Sequence, residues 1–422
     1  MQLGKRMRGF GWGLGCLLIA GCAQEHHWPR DTDGELAAQH GVNAGSRSPA
    51  REKPAVSAER FDAGPPPAAA NEERPPSPPA QPDGASVPSE TEIDAGSEDV
   101  ASGSAVALST MGQTTCALMA DRTVRCWGDN STGALGNGTN TNSSVAVQAQ
   151  GLEQVVQIDL GYLRACALLS DGTLRCWGDN NWGALRNGNQ EDQNVPVPVL
   201  GVEHVAQISL GESQACARHT DNTLECWLPG VQREGLLDAN GATDVVNVEA
   251  GYFVTAAWFA DGSMRSWGEH ALKGSLADAS IRQFTSGYAF QCALLANGKV
   301  HCKGTYDVHD GVGAVEEFVA GLSDVASISS GFEHTCAVTK SGKVQCWGRN
   351  ADGQLGNGNT VFTTQPTVVA GLDRVVEVAC GRSHSCARTS AGSVYCWGDN
   401  KNGELGDGTT VKRLTPVAVQ GL

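Results

Sequence analysis

Twelve cysteines recur as six pairs, each pair separated by ten positions: Cys116 with Cys126, Cys166 with Cys176, Cys216 with Cys226, Cys292 with Cys302, Cys336 with Cys346 and Cys386 with Cys396. Thiols at such spacing can form disulfides, ligate a metal or stay buried and free. A structural metal site needs four converging ligands, and each pair offers two, so no metal is assigned. Each pair straddles a turn such as Ser170-Asp171-Gly172-Thr173, which would set the two Cys opposite each other on adjacent antiparallel strands, about 4.5 Å apart at Cα in a non-hydrogen-bonded pair. Disulfide bonding is therefore expected. Where one partner is missing the other is missing too: Ala256 and Ser266 stand at the equivalent places of one copy.

Other residues imitate chemistry. Gly136-Asn137-Gly138, Gly356-Asn357-Gly358 and Gly406-Asp407-Gly408 look like pieces of a phosphate loop, but no strand-to-helix turn with a following Lys accompanies them, so tight turns are expected. His334 and His384 each precede a Cys by two positions, yet a disulfide-bonded Cys cannot act as a nucleophile, and both His are read as scaffold or surface residues. Asp129, Asn130, Asp399 and Asn400 follow Trp-Gly and are expected to hydrogen-bond within the next turn. No HExxH or GxSxG pattern and no isolated carboxylate pair supplies a reaction. No catalytic residue, cofactor or metal is assigned, and the expectation is a protein that is not an enzyme.

The elements that must position these residues are short strands. One unit reads Val155-Val156-Gln157-Ile158, Gly161, Cys166-Ala167-Leu168, Leu174-Arg175-Cys176-Trp177-Gly178, then Val195-Pro196-Val197-Pro198-Val199: four extended runs in about 50 residues. The first-Cys position recurs seven times, at Cys116, Cys166, Cys216, Ala256, Cys292, Cys336 and Cys386, and the Trp recurs at Trp127, Trp177, Trp227, Trp267, Trp347 and Trp397, with Lys303 in the fifth copy. On these residues the chain resembles the regulator of chromosome condensation family over 101–422. The resemblance implies an all-β, seven-bladed β-propeller of four-stranded blades. Ala105 to Ser109 occupy the register of a first strand, which is expected to lie beside the last blade and close the ring.

Ahead of the repeats, residues 1–22 carry Lys5, Arg6 and Arg8, an apolar run from Phe10 to Ala20, and Leu18-Ile19-Ala20-Gly21-Cys22. The run is too short to span a bilayer and reads as a signal peptide. Its end resembles a bacterial lipobox, which implies lipidation of Cys22; Ala23 favours the outer membrane or cell surface by the sorting rule, with a periplasmic or secreted protein as the alternative. Residues 23–100 hold Pro65-Pro66-Pro67 and few large apolar side chains, so a disordered Pro/Ala/acidic linker is expected. An export route also suits disulfides. Cys380 is left over, aligned with Leu160 and Leu210, and is read as a buried apolar substitute.

The net charge of -16 disfavours nucleic acid as a partner, because clustered cations are needed to displace counterions from phosphates. The expectation is a monomeric, surface-tethered, non-catalytic interaction module whose partner is a protein or glycan at the cell surface, with the membrane engaged through the lipid anchor. Two alternatives stand beside it: guanine-nucleotide exchange on a small GTPase, carried by the family resemblance and opposed by export and acidity, and an enzyme acting on an extracellular polymer. Copies three to five depart most from the motif and are expected to carry partner-specific loops. Candidate exposed binding residues are Trp182, Tyr252, Phe253, Trp258, Tyr288, Phe290 and Tyr306; Tyr162, Tyr252, Tyr288 and Phe332 each follow the repeat's Gly, which suggests a concave or rim-facing aromatic set.

Overall fold

Alternating apolar residues in runs of four to seven, broken by Gly and Asp turns, form strands that pair antiparallel with their sequence neighbours. A computed structural model describes residues 103–228, 239–268, 280–306 and 314–422. The expected signal peptide with Cys22, the expected linker and residues 101–102 lie outside the described residues. Seven sheets follow one another along the chain, and five of them have four strands in sequence order, as in Ala105–Met111, Thr114–Met119, Val124–Gly128 and Ser143–Gln148. Blades three and four show three strands among the described residues; 229–238 and 269–279, where a fourth would stand, lie outside them. The architecture is an all-β, seven-bladed propeller.

The first strand of every blade is innermost. These strands, Ala105–Met111, Val155–Gly161, Val205–Leu210, Val245–Ala250, Ile281–Ser286, Val325–Ser330 and Val375–Cys380, together line one axial cavity of about 360 Å³. Blade faces pack through Leu, Val, Ile and the buried Trp of the third strand, so the core is a set of interblade layers around the axis.

All six expected disulfides are formed, each joining directly opposed residues of the second and third strands with Cα atoms 4.0 to 4.1 Å apart. In blade four Ala256 and Ser266 face each other in the same register, a pair that cannot form a disulfide. Cys380 is free and buried, as expected of an apolar substitute.

Ring closure differs in detail from the expectation. Residues 105–111 lie beside blade seven, but they pair with 114–119 as blade one's own inner strand and add no strand to the last sheet. The seam is closed by Ala105 N–H donating to Gly392 O (3.1 Å), Leu108 N–H to Glu377 Oε1 (3.0 Å) and Gly408 N–H to Ser144 O (2.8 Å). The last of these repeats the bond from Gly138 to Asn194 between blades one and two. Closure thus reuses the ordinary interblade contact rather than strand exchange.

No helix among the described residues is long and apolar enough to cross a membrane. Six disulfides fit an extracellular or periplasmic compartment.

Candidate functional site

Each inner strand ends at or one residue before the repeat's Gly, and the residue after that Gly turns toward the axis. Gly381 shows why the Gly is needed: a Cβ there would lie 2.2 Å from His384 Cε1. The turn therefore presses directly on the first side chain of the second strand.

In four blades that side chain bonds into the next blade. Arg164 donates to Ser213 O and Gln214 O, Gln214 to Gly251 O and Val254 O, His334 Nε2 meets Ser385 Oγ at 2.8 Å, and His384 Nε2 meets Thr115 Oγ1 at 2.8 Å. The two His are buried scaffold latches. Burial drives His334 down to about 3, with His384 adding, and His384 down to about 4, so both are neutral at physiological pH.

Above the latches the residues following the Gly converge at the axis. Tyr252 and Phe332 rings lie 5.5 Å apart, Tyr288 and Phe332 4.6 Å, Phe253 and Tyr288 5.4 Å, and the Arg382 guanidinium sits 5.2 Å over Phe332. Backbone bonds tie the turns together: Tyr288 N–H to Phe332 O, Phe332 N–H to Gly381 O, and Arg382 N–H to Gly112 O. Tyr162, Tyr288, Phe332 and Arg382 remain half-buried, while Glu212 and Tyr252 are buried beneath them. Burial raises the Tyr162 and Tyr252 hydroxyls above the ordinary tyrosine value, with Arg382 opposing and Glu212 reinforcing in both cases. The expected aromatic set exists, as a partly covered cluster on the ring axis.

The exposed candidates need correction. Tyr252, Phe253, Trp258, Phe290 and Tyr306 are buried, the first two within the axial cluster and the other three in layers between neighbouring blades. Trp258 Nε1 donates to Ile281 O (2.8 Å), joining blade four to blade five where no disulfide stiffens the sheet. Tyr306 Oη accepts from Trp347 Nε1 (2.6 Å), taking the place of the loop carbonyl that serves Trp177 and Trp397, and Phe290 packs 4.1 Å from its ring. Tyr288 is half-buried. Only Trp182 projects, 58% exposed, in the loop between the third and fourth strands of blade two. Its φ of 62° is a left-handed conformation that a bulky side chain rarely takes.

In an antiparallel meander the turns between strands one and two and the loops between strands three and four share one end of every blade. Trp182 and the axial cluster therefore belong to the same face of the ring. The segments 229–238, 269–279 and 307–313, which include parts of the expected partner-specific loops, lie outside the described residues.

The axial cavity is polar, but its carboxylates are spoken for. Asp159 accepts from Ser109 Oγ, Leu160 N–H and Leu210 N–H; Glu249 accepts from Phe284 N–H; Glu377 binds Leu108 N–H and the Arg388 guanidinium. Burial pushes Asp159 up to about 6 against these bonds. These carboxylates join neighbouring inner strands rather than converge on a reacting centre. Sequence reasoning missed this wiring, although the polar residues at alternate inner-strand positions were visible.

The loop residues after Trp-Gly behave as expected in copies one, two, six and seven. Asn130 Oδ1 accepts from Leu135 N–H while its amide donates to Thr139 O and Thr141 O, and Asn180, Asn350 and Asn400 repeat the pattern.

Fold and site together define a seven-bladed propeller whose blades are interlocked by buried side chains and whose axis is capped by an aromatic and arginine cluster. Two family models of the Regulator of chromosome condensation (RCC1) repeat match parts of the chain, one over 171–218, 341–388 and 391–422 and the other over 112–134, 155–183, 325–354 and 375–404. Neither reaches 219–324, where the blades depart from the motif. The fold is similar to that of human WBSCR16 (19% identity, 71% of this chain and 95% of that chain, TM-score 0.61). It is also similar to a chain in the crystal structure of Kap60 bound to yeast RCC1 (Prp20) (18% identity, 74% and 85% coverage, TM-score 0.59). No curated protein matches the chain.

Proposed function

We propose that the protein is a non-catalytic protein-interaction module, exported, acylated at Cys22 and held off the outer membrane or cell surface by the linker 23–100, which docks a protein partner through the face bearing the axial cluster. The observation that carries this reading is the convergence of half-buried Tyr162, Tyr288, Phe332 and Arg382 from four blades at the centre of one face, with exposed Trp182 further out on the same face. Tyr, Trp and Arg near the centre of a surface are the residue types that dominate binding energy at protein interfaces. The yeast relative, crystallised with Kap60, is a case of this scaffold in a protein complex. A glycan partner would use the same aromatic rings by stacking.

Site-specific photo-crosslinking in intact envelopes tests it. A photoreactive residue at position 162 or 182 of the full chain should capture one and the same envelope protein, and one at Asp171 or Asp261, on turns at the opposite face, should capture none. Crosslinks only from 171 or 261 would overturn the assignment of the face, and release of the chain from membranes with Cys22 intact would overturn the anchor.

A further inference from the structure

Cys380 is not isolated. It ends the inner strand of blade seven, where the equivalent residues of other blades are Leu160 and Leu210, and it packs against the second strand of blade six. Its Sγ, Cys336 Sγ and a ring nitrogen of His334 all lie within 4.8 Å of one another. Cys336 is already bonded to Cys346 within blade six. Ser385 Oγ sits among the three: it donates to Gln354 O at 3.0 Å, lies 2.8 Å from His334 Nε2 and 3.8 Å from Cys336 Sγ. Cys380 N–H is held by Ser329 Oγ of blade six at 3.0 Å, which fixes its strand against the disulfide-bearing blade. A free thiol thus stands across an interblade seam from a disulfide, with both sulfurs buried.

We infer that the seam between blades six and seven is a disulfide-exchange site, at which Cys380 displaces Cys346 from Cys336 and converts an intrablade bond into a covalent link between two blades. The step is internal and balanced. The Cys380 thiol loses its proton, the thiolate attacks Cys336 Sγ, the Cys336–Cys380 bond forms as Cys336–Cys346 breaks, and Cys346 leaves as a thiolate that takes up the proton. No oxidant or reductant is consumed. The titratable groups facing Cys380 are His334 from blade six and Tyr252 from blade four. Burial pushes the Cys380 thiol up to about 12, so the closed ring suppresses the nucleophile and opening of the seam releases it. No other blade has this arrangement, since Cys380 is the one free cysteine among the described residues.

Peptide-level disulfide mapping of the full chain tests the exchange. The protein is warmed toward its unfolding midpoint at about pH 9 without reductant, where thiolate attack is fast, then quenched with acid, alkylated and digested. The expected product is a Cys336–Cys380 peptide together with alkylated Cys346, outnumbering any Cys380–Cys386 product. An unfolded chain shuffling at random would favour Cys386, the nearer thiol in sequence. Alkylation at Cys380 alone with Cys336–Cys346 intact, or Cys380–Cys386 as the main product, would overturn the inference. The Cys346→Ala variant gives a second reading: oxidised by oxidised glutathione, it should close Cys336 to Cys380 and leave neither for alkylation, whereas alkylation of both would contradict the geometry. Should that variant fail to fold, the measurement on the parent chain decides alone.

Discussion

The indole N–H of Trp127 donates to the carbonyl of Glu404, 2.9 Å away and 277 residues further along the chain. Trp177 makes the same bond to Ala134 and Trp397 to Gln354, each reaching back into the preceding blade. Blade one therefore treats blade seven as its predecessor, and the ring has no special closing joint.

Trp127→Phe keeps an aromatic ring but removes the donor, leaving the buried Glu404 carbonyl short of its partner. A loss of about 1–3 kcal/mol is expected from an unmet buried acceptor, and about 3–5 kcal/mol for Trp127→Ala, which also opens a cavity. Denaturant midpoints of the two variants against the parent check this. An unchanged midpoint for both would mean that the seam between blades one and seven carries no stability.

Blade four can be given the bond it lacks. Ala256 and Ser266 oppose each other in the register that joins the other six pairs, so Ala256→Cys with Ser266→Cys should form a seventh intrablade disulfide. Closing so short a loop is worth about 3 kcal/mol in the chain-entropy description. Thiol titration and thermal unfolding report the result: no added free thiol and a higher midpoint are expected.

The buried latches make stability depend on pH in a predictable direction. His334 and His384 have folded values near 3 and near 4, below the 6.5 of an unfolded His, so their stabilisation is fully present above pH 6.5 and is lost as pH falls toward 4 and 3, because only the unfolded chain takes up the proton. Asp159 and Glu404 act oppositely: burial raises them to about 6 and about 7, and the stability they contribute is present below the ordinary carboxylate range and lost as pH rises through those values. Replacing both His by Gln should therefore leave the carboxylates unopposed, and the variant should gain stability on acidification from pH 6.5 relative to the parent. Parallel stability profiles for the two proteins would contradict the assignment.

Trp182 combines exposure with an unfavourable backbone. Trp182→Asn should leave stability unchanged or raise it by about 1 kcal/mol, because Asn tolerates the left-handed region better. The same change should weaken partner capture by a photoreactive residue at position 162. A clear loss of stability would instead mark the side chain as part of the packing.

Much of the scaffold was legible because its signals recur. The paired Cys, the Trp and the Asn after Trp-Gly hold equivalent positions in copy after copy, and their spacing alone fixes strand order and disulfide register. The wiring between blades was not, because its partners vary. At one position the copies carry Thr114, Arg164, Gln214, Val254, Phe290, His334 and His384, and variation of that sort resembles surface drift until the structure shows each side chain buried, with Arg164, Gln214, His334 and His384 bonded to the following blade and Thr114 to Asp129 of its own. The same ambiguity made Trp258, Phe290 and Tyr306 look like ligand contacts. They are local repairs: where the disulfide or the loop carbonyl is lost, an aromatic residue supplies the missing packing and hydrogen bond. The axial cluster was half-visible, since the post-glycine register was plain but its convergence depends on the ring closing.

Hydrogen exchange of the full chain, with and without its envelope partner, tests the docking face most directly. Added protection is predicted at the turns around Tyr162, Tyr288, Phe332 and Arg382 and in the loop carrying Trp182. No change is predicted at the turns around Asp171, Asp261, Ser341 and Ala391. Protection confined to that second set would contradict the account.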